Sequence, residues 1–255
     1  MTSKGRGVSV PTYSPTVGAR KSRASRDSKD GLRVDGRNPH QCRPAFMRTG
    51  AVNAAVGSAY AEFGSTKVIV SVFGPRESKK AMAYSDVGRL NCSVSFMTFS
   101  TQIRGQGSED KEMSSMLHKA LEGAIMLETF PKTTVDVFAL VMESGGGDLP
   151  VIISCASLAL ADAGIKMLDL VTSTSLSCHG MDLVIDPTLE EERCQDGGFM
   201  ISFMPSRNEV TQLAITGEWS TAKVAEAMEL CIDACLKLGN VMRECLKAAA
   251  TSVSE

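Results

Sequence analysis

Between residues 51 and 73 the larger apolar side chains fall in three short runs, Ala51–Val56, Ala59–Phe63 and Lys67–Phe73, with Gly57-Ser58 and Gly64-Ser65 between them. Strand-like runs broken by glycine-serine pairs predict a β-meander with two tight turns. Gly74-Pro75 predicts the end of the third strand; 76–89 is polar and irregular, and Leu90–Phe99 alternates enough for another strand. Over 108–129 the period lengthens. Met113, Met116, Leu117, Ala120, Leu121, Ala124 and Ile125 recur at helical spacing, which predicts a helix whose apolar stripe is core. Ser108 suits its N-cap, Glu109, Asp110 and Glu112 suit the positive end of its dipole, and Pro131 lies beyond its end.

Val135–Met142 is rich in β-branched residues and predicts a strand. After Gly145-Gly146-Gly147-Asp148, a helix is predicted from Pro150 to about Ala163, with Asp148 as its cap and Gly164 as its stop. Leu168–Cys178 and Met181–Asp186 form a hairpin across His179-Gly180; Phe199–Met204 and Val210–Thr216 form a second across Pro205–Asn208. Ser220 caps a last helix to about Ala249, with Val224, Ala227, Met228, Cys231, Ala234, Cys235 and Leu238 on one face. This order predicts an α/β (α+β layered) fold with helices packed on mixed sheets. It occupies residues 31–250, in halves 31–165 and 166–250, behind a tail of residues 1–30.

Composition adds limits. With 43% hydrophobic and 22% charged residues the chain has globular balance. No apolar run approaches the roughly 20 residues of a membrane span, and the N-terminus lacks the apolar stretch of a secretory signal. No membrane partner is expected. The eight cysteines are scattered, and most lie in apolar runs, which predicts core thiols in a reducing compartment. Cys231 and Cys235 have no second metal-spaced pair, so no metal site and no cofactor are expected. Residues 1–30 hold seven Lys and Arg against Asp27 and Asp30, hence +5; with a chain total of −2, the remainder carries −7. A basic tail rich in Ser, Pro and Gly on an acidic body predicts a disordered arm, suited to RNA phosphates, to a nuclear address, or to neither.

The run Gly57–Glu77, GSAYAEFGSTKVIVSVFGPRE, resembles the N-terminal signature of RNase PH-like proteins. Asp35-Gly36-Arg37 upstream and Ala156–Gly164, ASLALADAG, fit the same family. The likeness covers about 31–250 and is nearest to the ring subunits of the RNA exosome. It implies a ribosomal-protein-S5-domain-2-like RNase PH fold. It also implies a hetero-hexameric ring of RNase PH-like chains, S1/KH cap proteins above it, an associated catalytic ribonuclease, and single-stranded RNA in the pore. Nucleus, nucleolus and cytoplasm are the compartments it implies.

Active relatives hold inorganic phosphate with a Gly-Thr-Arg loop at a helix start, where N–H groups, the helix dipole and a guanidinium converge on the anion. Counting back from Ala156 gives Gly147-Asp148-Leu149 here: an acid and an aliphatic. The family's two aspartates, six apart and associated with a divalent cation, match Asp186 and Glu192, and the intervening acids read as a solvated loop. The strand that supplies arginines in relatives is Leu90–Ser95, which holds small polar groups. These departures predict a structural subunit without a phosphorolytic site of its own. A working phosphorolytic exoribonuclease using Asp186 and Glu192, and a free RNA-binding protein, stand as alternatives. Arg76, Lys79, Lys80, Arg89, Arg104 and Lys111 are the candidate RNA-backbone contacts. His40, His118 and His179 form no triad, and Cys178 and His179 point to opposite faces of a strand.

Overall fold

The computed structural model describes residue 33 and residues 35–77, 87–100 and 107–253. The basic tail, Lys79, Lys80 and Arg104 lie outside them. The first sheet has five strands: β1 (Ala45–Thr49), β2 (Gly57–Phe63), β3 (Thr66–Glu77), β4 (Arg89–Phe96) and β5 (Thr133–Glu143). Their order is β1-β2-β3-β5-β4, antiparallel except for β4 alongside β5. The second sheet is fully antiparallel, in the order β7 (Asp182–Ile185), β6 (Thr172–His179), β8 (Gly197–Met204), β9 (Glu209–Gly217). The helices are α1 (Gly107–Glu122), α2 (Asp148–Asp162), the short α3 (Leu189–Cys194) and α4 (Thr221–Val253).

Alternation in β3 and β5 sends Val68, Val70, Val72, Val135, Val137, Ala139 and Val141 to one face, where they join Ile152, Cys155, Ala156 and Ala159 of α2 in a single core. Every α2 residue from Leu149 to Leu160 is buried, because the helix is packed against strands of both sheets. Each fully buried Val, Leu or Ile there contributes about 1.5–3 kcal/mol. A second core joins Leu176, Phe199, Ile201 and Phe203 to Ala227, Cys231 and Cys235 of α4. Burial pushes the Cys231 thiol up to about 12 and Cys235 up to about 11, so both pack as small hydrophobes.

The layered fold is as the patterning predicts, but several boundaries differ. Residues 51–56 form no strand; Ser58 Oγ accepts the Val52 N–H at 2.8 Å and folds them into a turn. Gly57-Ser58 opens β2 rather than making a turn. A Cβ at Gly57 would lie 2.2 Å from Ala163 N, so the glycine serves close approach of strand and helix. β3 runs through Gly74-Pro75 to Glu77, with its register against β5 shifting between Phe73 and Arg76. α1 starts at Gly107, so Ser108 lies inside it, and it stops at Glu122; a 3₁₀ turn follows at Leu127–Thr129. The acidic run after Asp186 is not a solvated loop: it folds into α3.

Candidate active site at the start of helix α2

The loop from β5 to α2 turns on Gly146 (φ +94°) and Gly147 (φ +60°), conformations that favour glycine. Gly147 is the N-cap residue of α2, which corrects the expected role of Asp148. Asp148 is the first helical residue, and its carboxylate accepts Ser144 Oγ at 2.5 Å and lies 3.3 Å from Thr66 Oγ1. Leu149 turns into the core. It contributes apolar packing and no cation.

Asp186 follows β7 in the left-handed region, at φ +50°, and is held from three sides. Its Oδ2 accepts Arg43 N at 2.7 Å and Arg43 Nε at 3.0 Å, and its Oδ1 accepts Arg43 Nη2 at 2.7 Å. Its carbonyl accepts Arg33 Nη2 at 3.0 Å and both Arg37 Nη atoms at 3.2 Å. Arg43 also reaches across to the glycine loop, donating to Gly146 O at 2.8 Å and to Thr66 Oγ1 at 3.1 Å. Burial works against the Arg43 charge, but bonding and attraction to Asp186 outweigh it and hold its pKa above the ordinary value.

Arg33 extends the network to α3 by pairing with Glu191 through both Nε, at 2.8 Å, and Nη2. Burial opposes the Glu191 charge, yet Arg33 and the Thr188 N–H bring its pKa below the ordinary carboxylate value. One turn geometry thus sends Glu191 to Arg33 and Glu192 to the glycine loop. Glu192 Oε1 accepts Gly147 N at 2.9 Å. Burial, joined by the charges of Asp148 and Asp186, raises Glu192 to about 7, against the opposing effects of that bond and of Arg43. Burial likewise raises Asp148.

Asp148, Asp186 and Glu192 are therefore brought together around Arg43, with Leu149 beside them facing the core. A divalent cation does not fit this arrangement. Both Asp186 oxygens are occupied by Arg43, one Glu192 oxygen by Gly147, and among the described residues no three acids, histidines or cysteines are arranged to hold a metal. The RNA-contact candidates lie elsewhere. Arg76 and Arg89 both pair opposite Thr134, one from each side, so the structure brings these two together. Arg76 also forms an ion pair with Asp136. That end of β5 is about 33 Å from the glycine loop at 3.3 Å per residue. Lys111 is exposed near the start of α1. Arg33, Arg37 and Arg43 were missed by sequence reasoning; only Asp35-Gly36-Arg37 gave a hint, as a family fragment without a role.

The fold and site together define the class. The description "3′ exoribonuclease family, domain 1" matches residues 41–166 and "domain 2" matches 169–234. The chain belongs to this RNase PH-type family of 3′ exoribonucleases. It is 66% identical over 251 residues to an exosome complex component RRP41-like of Arabidopsis thaliana, covering 98% of each chain. It is 35% identical over 231 residues to exosome complex component Rrp41 of Pyrococcus furiosus, covering 89% of this chain and 92% of that one. The rice Rrp46 crystal structure superposes with a TM-score of 0.74 at 25% identity, over 83% of this chain and 98% of that one. A chain of the Archaeoglobus fulgidus exosome with RNA bound to the active site has the same fold, with a TM-score of 0.73 at 20% identity over 82% and 92%. Within the family, then, the chain is similar to Rrp41-type exosome components.

The expectation of an inactive subunit is corrected by these relatives. The chain matches Rrp41-type components across nearly its whole length, and that likeness does not support a subunit stripped of chemistry. The expectation took the departures at Asp148, Leu149, Glu192 and Leu90–Ser95 together, without the buried Arg43 around which the acids assemble.

Proposed function

We propose that this chain acts in 3′-to-5′ RNA processing and degradation as a phosphorolytic Rrp41-type subunit of an exosome ring. Ribosomal RNA maturation and the decay of messenger and non-coding RNA are its proposed tasks. S1/KH cap proteins and other RNase PH-type chains are its proposed partners, and nucleus, nucleolus and cytoplasm its proposed compartments.

The observation that carries the chemical reading is Glu192, half-buried against the glycine loop with its pKa raised to about 7. A general acid works best when its pKa lies near the operating pH. In the proposed reaction an oxygen of inorganic phosphate attacks the phosphorus of the last RNA linkage. The bond from phosphorus to the upstream 3′ oxygen breaks, and that oxygen takes the proton of Glu192. A nucleoside diphosphate leaves, and the incoming phosphate returns a proton to Glu192. Asp186, saturated by Arg43, positions the strand end and the glycine loop rather than moving a proton. With Leu149 in the core, the contacts offered to the anion are first-turn N–H groups of α2.

The test is phosphate-dependent release of nucleoside diphosphates from the 3′ end of single-stranded RNA by the assembled ring. Glu192→Gln keeps the acceptor for Gly147 and removes the acid. It is expected to slow release by at least about a hundredfold, the usual scale of general acid catalysis. Unchanged release from an intact Glu192→Gln ring would remove Glu192 as the acid.

A further inference from the structure

β4 is an outer strand of the first sheet, and its backbone shows which way each amide points. Met97 N donates to Val141 O of β5, at 3.0 Å. Gly88 N instead donates to Leu127 O at 2.9 Å, and Val94 N to Ser114 Oγ at 2.8 Å. Odd-numbered positions therefore face β5 and even-numbered positions face the free edge. Gly88 and Val94 are covered; Leu90 and Cys92, between them, share their orientation. Among the described residues neither edge amide has an acceptor.

A cavity of about 520 Å³ opens along this stretch, between β4 and the last turns of α1. Leu90, Cys92 and Leu127 form its apolar part, and Arg89, His118 and Glu122 its polar rim. His118 Nδ1 lies 3.6 Å from Glu122, whose side chain is exposed. Two outward amides spaced by one residue, closed off at both ends and flanked by a helix, match the repeat of an extended backbone. A nucleotide chain or a compact ligand does not present carbonyls at that spacing.

We propose that the β4 edge is a strand-addition site: an extended segment of a partner protein pairs with Leu90 and Cys92 in the groove beside α1. Main-chain bonds supply affinity and the flanking pocket selects alternate side chains. Here the pocket takes an apolar side chain against Leu90 and Leu127. The occupant also removes the liability of an open sheet edge. The proposal does not depend on the chemistry at Glu192.

Amide hydrogen exchange on the chain alone and in its purified exosome complex tests it. Leu90 and Cys92 are expected to exchange at least about a hundredfold more slowly in the complex, as newly bonded amides do, with or without RNA. A photo-crosslinking residue at Glu122 is expected to join a protein segment. Cys92→Pro removes one outward N–H and spares the ladder to β5, as proline does on an edge. It should restore fast exchange at Leu90 and abolish the crosslink while circular dichroism and ring assembly stay unchanged. Should Cys92→Pro fail to fold, the exchange comparison of the unaltered chain decides alone. Equal exchange in both states, protection that requires RNA, or crosslinks to RNA only would overturn the proposal.

Discussion

Two groups of cations in this protein live under opposite conditions. Arg33, Arg37 and Arg43 are folded inward against Asp186 and Glu191, whereas Arg89 and Lys111 stand in solvent and Arg76, at the surface, reaches back to Asp136. The inward group binds carbonyls and carboxylates that belong to the lead-in segment, the glycine loop and the end of β7. With Glu191 of α3, it fixes four chain segments relative to one another. The outward group fixes almost nothing, because water screens its charges and leaves its side chains mobile. The same residue type thus builds a site in one place and offers a loose electrostatic surface in the other.

The largest break in that contrast comes from Arg43. Arg43→Met keeps much of the side-chain volume and leaves the Asp186 carboxylate buried without its partner, together with Gly146 O and Thr66 Oγ1. Breaking one half of a buried, hydrogen-bonded pair costs about 3–5 kcal/mol. Equilibrium urea unfolding should show a loss of that size, and a loss below about 1 kcal/mol would mean that Asp186 is held by Arg37 and water instead.

The strands and two of the helices could be read from alternation and helical spacing, because β2, β3 and β5 bury alternate residues and α1 and α4 carry apolar stripes; α2, buried all round, was legible from Pro150 and Gly164 instead. The site could be read only in part. Asp148, Asp186 and Glu192 stood out through the family likeness, but Arg43 is 143 residues from Asp186 in sequence, and no local period links them. α3 was overlooked because its six residues bury no side chain; it owes its place to Glu191 and Glu192 reaching in two directions. Gly57 misled for a related reason. A glycine between two apolar runs looks like a turn, and here it makes room for the end of α2.

Glu192 sharpens the comparison from the acid side, being a carboxyl without a dedicated guanidinium. Its pKa rises from 4.5 to about 7 on folding, so between those values the folded chain binds the extra proton. The stability it contributes is fully present below about pH 4.5 and is lost as pH rises through 7. Asp148 shifts in the same direction. Glu191 shifts the other way, and its contribution is lost only as pH falls through its lowered pKa. Glu192→Gln should therefore match the parent near pH 4 and exceed it by about 3 kcal/mol at pH 8, at 1.36 kcal/mol per pKa unit. Denaturant unfolding at the two pH values checks this, and an equal difference at both would remove Glu192 as the group responsible.

The smallest expected effect on stability belongs to the outward cations. Arg89→Ala and Lys111→Ala remove no buried partner, so each should leave unfolding within about 0.5 kcal/mol of the parent. If these side chains touch RNA phosphates in the ring, their loss should appear in the salt dependence of RNA binding. The slope of log affinity against log salt would fall by about 0.7 for each single-strand contact removed. Arg76→Ala gives the internal control, since it also frees Asp136, which is buried and bonded to Asn91 at 2.8 Å. A drop in stability at Arg76 together with unchanged stability at Arg89 would place Arg76 with the inward group. Unaltered salt slopes at Arg89 and Lys111 would remove both from the RNA path.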